Sequence, residues 1–299
     1  MANQEAARDP LETLLQLLDV EQLDTLFFRG RSEYSGSIRV FGGHVIGQSV
    51  AAALRTADHE RQLHSMHAYF LRPGKPNQPI IYQVDPIRDG GSFNTRRVVA
   101  YQSGEAIFNT SLSFHMRQSG PEHELDVPGK PEGPEGLMSN EEMWRQLHAA
   151  HPDKLPAPMN LPSAIDVRPL KLRNPMQPSP SEPTNWVWMK TKHTVPSQAE
   201  QPDNTIHQKL FAYMSDMQLL GTSLQPHSLN FTDPDFQMAS LDHGIWFHDD
   251  FRVDDWLLLY MDSPVARNAR GFNRGLVWDA SGRLVASTVQ EGLLRPKTR

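Results

Sequence analysis

The sequence predicts an α+β fold of two similar units, each an antiparallel sheet wrapped around one long helix, with the two sheets joined edge to edge. Three observations predict it. A helical apolar period followed by consecutive strand-like runs occurs twice, in the same order. A shift of 178 (281 − 103) carries Ser103-Gly104 onto Ser281-Gly282, Arg96 onto Arg274 and Thr110 onto Thr288. Finally, 13 of the 24 prolines fall between Gln118 and Thr184, which marks a connector between two folded halves.

In the first unit, the segment from Phe41 to Leu54 opens on Gly42-Gly43 and then carries apolar residues at 46, 50, 53 and 54, one face of a helix. Strand-like runs follow at Leu63 to Leu71, Ile80 to Ile87, Ser92 to Gln102 and Ala106 to Met116, with turns at Asp89-Gly-Gly and Gln102-Ser-Gly-Glu. The connector holds one short helical pattern, Asn140 to Ala150, and supplies a first strand to the second unit at Ala164 to Leu172. In the second unit, Thr205 to Leu220 repeats the helical period at 206, 210, 213, 214 and 217. Strand-like runs follow at Gln237 to Phe247, Trp256 to Ser263, Arg270 to Asp279 and Leu284 to Leu293. The expected units are therefore residues 1–117, a proline-rich connector 118–163, and residues 164–299. Joining the sheets at their edges would pair strands that otherwise stand open to aggregation. Such a pair of units is a double hot-dog.

Composition narrows the function. Lys plus Arg is 29 against 35 Asp plus Glu, a net charge of −6, so the chain lacks the basic excess of a nucleic-acid binder. With no cysteine there is no disulfide, no thiolate nucleophile and no Cys-based zinc site. No run of about 18 apolar residues exists, so no stable membrane insertion is expected. The first residues lack the basic-then-apolar order of a signal peptide, and Arg295-Pro-Lys-Thr-Arg299 is not a Ser-Lys-Leu address, which makes the cytoplasm the expected location. There is no Gly-x-Ser-x-Gly elbow, no phosphate-cradling glycine loop and no dinucleotide fingerprint. No His-Glu-x-x-His occurs, and His243 and His248, five apart in a strand-like run, point to opposite faces. Neither a metal nor a cofactor is expected.

Several long motifs carry a resemblance. Phe41-Gly-Gly-His-Val-Ile-Gly-Gln48, His64-Ser-Met-His-Ala-Tyr-Phe-Leu-Arg-Pro-Gly74 and Asp89-Gly-Gly-Ser-Phe-Asn-Thr-Arg-Arg97 resemble the N-terminal half of the acyl-CoA thioesterase II family. Leu224-Gln-Pro-His227, Leu241-Asp-His-Gly-Ile-Trp-Phe-His248, Ala269-Arg-Gly-Phe272 and Val285-Ala-Ser-Thr-Val-Gln-Glu-Gly292 resemble its C-terminal half. The resemblance implies a double hot-dog fold and hydrolysis of fatty acyl-CoA, medium- to long-chain, to free fatty acid and CoA. It also implies a catalytic set: Asp216 late in the second helix, Ser240 on the following strand, where many bacterial members carry Thr, and Gln290 on the last strand. All three belong to the second half, and the 178 shift takes Gln290 onto Leu112, so one active site per chain is expected.

On a helical wheel Asp216 stands about 100° from the centre of the apolar stripe, at its edge, where a carboxylate is half buried. Taken singly, Asp216 reads as a solvated helix-flank acid, Ser240 as a strand hydroxyl bonded to backbone and Gln290 as a polar residue of a wet sheet face. The resemblance reverses that reading. A thioester releases a thiolate whose parent thiol has an ordinary pKa near 8.5, so no strong general acid is needed. Asp216 then serves as general base toward water, with Ser240 and Gln290 holding water and carboxylate in line. Direct attack by Asp216 to form an anhydride stays open. The oxyanion would be met by backbone N–H groups at a helix N-terminus. Cations for the CoA phosphates are candidates only: Arg72, Lys75, Arg96, Arg97 and Arg270.

Two other readings remain. Asp203-Asn-Thr-Ile-His207 resembles a shortened hot-dog enoyl-CoA hydratase pattern, and a non-catalytic acyl-CoA-binding sensor would keep the fold without the reaction. The expected partners are the acyl-CoA substrate and further copies of the chain, as a homo-oligomer, dimer or tetramer.

Overall fold

The computed structural model describes residues 9–33, 37–129, 131–155, 163–197, 203–229, 231, 233 and 235–297. In chain order these form α1 (Pro10–Leu18), β1 (Val20–Asp24), β2 (Phe27–Gly30), α2 (Gly42–Leu54), β3 (Gln62–Phe70), β4 (Ile80–Asp89), β5 (Phe93–Gln102) and β6 (Glu105–His115). After the connector helix α3 (Asn140–Ala150) come β7 (Ile165–Pro169), β8 (Thr184–Thr191), α4 (Asp203–Met214) and a 3₁₀ helix, Leu220–His227. The chain ends in β9 (Phe236–Ser240), β10 (Asp242–Phe247), β11 (Leu257–Arg267), β12 (Arg270–Trp278) and β13 (Leu284–Pro296).

The predicted helices and strands of both halves are present, with two corrections near the candidate residues. The second helix stops at Met214, six residues (220 − 214) before the expected Leu220. Beyond it Ser215 still bonds back to Phe211, but Met217 bonds to Met214 in a tighter turn. The apolar spacing misleads because Leu219, Leu220 and Leu224 stay buried as the chain continues through the 3₁₀ helix. The run Gln237 to Phe247 is two strands, broken at Leu241. Helix α1, the β1–β2 hairpin and β8 were not anticipated. Helix α1 starts where Asp9 accepts the Leu11 N–H at 2.8 Å, with Pro10 in the first turn.

The expectation of two sheets is also corrected. The strands form one continuous 13-stranded sheet, in the order β1-β2-β4-β5-β6-β3-β10-β13-β12-β11-β8-β7, with β9 beside β13. The halves meet at β3 and β10, which pair antiparallel from Asp242↔Tyr69 to Trp246↔Ser65. A full backbone ladder at that junction removes both edges, so the two sheets become one. Helices α2 and α4 pack against each other, and one apolar core runs through both halves, from Ile46, Val50 and Met66 to Leu210, Phe211 and Ile245.

The proline-rich connector is held to the second half by specific donors. The indole N–H of Trp278 donates to Leu125 O at 2.9 Å, that of Trp188 to Glu132 O at 2.8 Å, and Arg168 Nη1 to Pro134 O at 3.0 Å. These bonds satisfy carbonyls that a stretch without regular structure leaves open.

Candidate active site

Asp216 lies two residues past the end of α4, in the turn that leads to the 3₁₀ helix. Its carboxylate reaches into the other half of the chain, at the N-terminus of α2, and accepts the Gly43 N–H. That helix begins at Phe41, whose side chain makes no capping bond. A helix N-terminus exposes orphan N–H groups and a partial positive charge, and here an acid from 173 residues away (216 − 43) meets them. The approach depends on glycine. A Cβ on Gly42 would lie 2.5 Å from Asp216 Oδ2, and one on Gly43 would lie 2.3 Å from the Tyr213 carbonyl.

Ser240 and Gln290 are brought together by a β-bulge. Ser240 pairs with Gly292 and Gly244 with Val289, so three residues of the β9–β10 run face two of β13. The spare N–H of Glu291 is taken by the Asp242 carboxylate at 2.6 Å, while Leu241 donates to Glu291 O at 2.9 Å. In a regular strand residues 240 and 243 would face opposite sides; the extra residue turns both toward Gln290. Gln290 Nε2 is 2.6 Å from Asp216 Oδ1, 3.1 Å from Ser240 Oγ and 3.2 Å from His243 Nδ1. Ser240 Oγ is 3.5 Å from Asp216 Oδ1, a long contact.

All three residues predicted from the sequence therefore converge. Burial pushes the Asp216 carboxyl up to about 6, against the bonds from Gln290, Gly43 and Ser240 that favour its charged form. Burial, with the nearby Asp216 charge, pushes the Tyr213 hydroxyl up to about 12, so it stays protonated. The buried His243 ring is pushed down to about 3 and is neutral. In the first half the position matched to Gln290 holds Leu112, fully buried.

A family profile described as Acyl-CoA thioesterase matches residues 161–293, and a second, described as Acyl-CoA thioesterase N-terminal domain, matches residues 31–115. Acyl-CoA thioesterase 2 of Haemophilus influenzae is 36% identical over 96% of this chain and 98% of its own. The crystal structure of the acyl-CoA thioesterase II TesB2 of Mycobacterium marinum superimposes with a TM-score of 0.75, at 36% identity, over 95% of this chain and 99% of that one. The chain belongs to the acyl-CoA thioesterase II family. A hot-dog protein of Alicyclobacillus acidocaldarius shares the fold, with a TM-score of 0.74 at 17% identity over 96% of this chain and 99% of that one. This thioesterase is a hydrolase of acyl-CoA thioesters.

Two residues that touch this cluster, Gly43 and His243, are not singled out by the sequence. Gly43 was visible only as a flexible helix start, with no signal for its bond to Asp216. His243 was read as a strand residue, because only the bulge brings it to Gln290. Most of the candidate CoA cations are ion-paired: Arg72 with Glu105 at 3.6 Å, Arg97 with Asp85 at 2.8 Å and Arg270 with Glu291 at 2.9 Å. Arg96 is buried, bridging Asp89 at 2.7 Å and Thr56 O at 2.8 Å. In the hydratase-like segment, His207 is buried and its Nδ1 accepts the Val253 N–H at 3.2 Å, while the Asp203 side chain lies outside the described residues. Among the described residues no helix is long and apolar enough to cross a membrane.

Proposed function

We propose that this thioesterase hydrolyses medium- to long-chain fatty acyl-CoA by a water molecule that Asp216 deprotonates, with Ser240 and Gln290 aligning the pair. The observation that carries the reading is the Asp216 carboxylate itself, raised to about 6 and bonded to Gln290 at 2.6 Å. A base near neutral pH is strong enough to take a proton from water yet ionised at pH 7. Gln290 and Gly43 hold the carboxylate from two sides, which fixes its remaining lone pairs toward the reactants. The oxyanion is met by the Gly42 N–H at the start of α2, since Asp216 takes the Gly43 N–H and Phe41 O takes that of His44 at 3.1 Å. The rings of Phe41 and Tyr213, packed edge to face at 5.2 Å, and of Phe70 offer apolar surface beside the carboxylate for the acyl chain. The chemistry sits in the unit 164–299, the unit 1–117 supplies the helix that receives the carboxylate, and residues 118–163 join them. The same proposal places the enzyme in the cytoplasm as a homo-oligomer, dimer or tetramer; light scattering on the purified protein gives the number of copies.

The test is release of CoA thiol from short, medium and long acyl-CoAs across pH. The base must be ionised, so kcat/KM should fall as pH drops through about 6, well above an ordinary carboxylate. A rate that stays flat down to pH 4.5 would remove Asp216 as the base, and turnover restricted to short chains would remove the chain-length assignment.

A further inference from the structure

Gln290 has one amide to orient and little that orients it. Its side chain is fully buried, and its Oε1 has no hydrogen-bond partner among the described residues. The direction of the amide is therefore set on its nitrogen side alone, by the acceptors Asp216 Oδ1, Ser240 Oγ and His243 Nδ1. The first two take part in the proposed reaction. When Asp216 takes a proton from water it loses the charge that repels Oε1, and Ser240 can donate as well as accept. His243 is different, because its ring is wired as a fixed acceptor.

The wiring runs back to the residue next to Asp216. Ser215 Oγ donates to Ala212 O at 3.0 Å, so it is an acceptor toward His243 Nε2, 2.9 Å away. His243 Nε2 must then carry the hydrogen, which leaves Nδ1 with its lone pair facing Gln290 Nε2 at 3.2 Å. The ring is 1% exposed, and its burial keeps it neutral at working pH. The chain Gln290 to His243 to Ser215 to Ala212 thus ties the last strand to the end of α4 that carries Asp216.

We propose that His243 is a positioning residue of the thioesterase reaction: its Nδ1, an acceptor held in one tautomer by Ser215, keeps the Gln290 amide nitrogen turned toward Asp216 and Ser240 while the charge on Asp216 changes. This rests on the reading of Asp216 as the base.

The test compares His243→Leu, which fills similar volume without an acceptor, with His243→Asn, whose Oδ1 stands where Nδ1 stood. Thiol release by both is measured beside wild type and Asp216→Asn. His243→Leu should lose about 10- to 100-fold in kcat with KM within about twofold, and His243→Asn should recover to within about threefold of wild type. A merely structural role would lower both variants together, and equal slowing of the two, or wild-type rates in both, overturns the proposal. An inactive Asp216→Asn beside a fully active His243→Leu overturns His243 alone, whereas an active Asp216→Asn overturns the base. Should His243→Leu not fold, long-range ¹H–¹⁵N NMR of the wild type decides, with His243→Asn used to assign the signal. A bare Nδ1 and a protonated Nε2 at pH 7 are expected, and the opposite tautomer or an imidazolium overturns the proposal.

Discussion

Asp216→Asn is expected to lower kcat for acyl-CoA hydrolysis by about 10² to 10⁴-fold and, at the same time, to raise the stability of the fold at pH 8. The first effect follows from removing the carboxylate that is bonded to both Gln290 and the α2 N-terminus. The second follows from linkage. Burial lifts this carboxyl from 3.8 to about 6, so the folded chain holds the proton more tightly than the unfolded one. The stabilisation from that proton is complete below pH 3.8 and lost as pH rises through about 6. At pH 8 the wild type therefore carries a charged, part-buried carboxylate at a penalty on the order of 3 kcal/mol or less, and the neutral amide does not. Thermal unfolding should show the variant melting higher at pH 8, with the gap shrinking steadily toward pH 4. A variant less stable than wild type at pH 8 would mean that the carboxylate's bonds to Gln290 and Gly43 outweigh its burial. It would also remove the physical reason for a raised pKa.

What could be read from the sequence, and what could not, divides along contact order. Local periods place α2, α3 and most strands within a few residues, because 3.6 and 2.0 are properties of neighbouring positions. The end of α4 was overrun since Leu219 and Leu220 keep the apolar spacing after the helix has stopped. The convergence of Asp216, Ser240 and Gln290 came from resemblance; each residue alone has an ordinary reading. The physical reasons for their convergence are non-local. Asp216 meets Gly43 because α2 and α4 pack together, and Ser240 and His243 share a face because β13 leaves one residue over at Leu241-Asp242. Strict alternation predicts the opposite for that pair, and a one-residue bulge has no reliable mark in the sequence. The edge-to-edge join was legible, but not which strands make it or in what register, since pairing of Gly244 with His67 depends on both halves being folded.

Gly42→Ala and Gly43→Ala should separate the placing of the carboxylate from the packing of the two helices. At Gly42 the new Cβ would stand 2.5 Å from Asp216 Oδ2 and 2.9 Å from the Phe70 ring, both side-chain atoms that can turn away. The helix itself gains from alanine, by about 1 kcal/mol over glycine in a helix interior and less at this first position. The carboxylate, pushed out of line with Gln290, loses its geometry, and a displacement near 1 Å costs about 10²-fold in rate. Gly42→Ala is thus expected to keep a melting temperature close to wild type and lose about a hundredfold in kcat. At Gly43 the obstacle is the Tyr213 backbone carbonyl at 2.3 Å, backed by the Phe41 ring at 2.5 Å, and neither α2 nor α4 can yield without moving the other. Overpacking of that kind costs about 1–3 kcal/mol, so Gly43→Ala should lose activity and melt distinctly lower. The pair is informative because the substitutions are chemically identical and adjacent. If Gly42→Ala were fully active, Asp216 would have room to work away from the α2 N-terminus, and the helix would be a packing partner with no part in holding the base. If both variants melted equally low with equal loss of rate, the helix junction would be one mechanical unit, and Gln290 alone would hold the carboxylate in line.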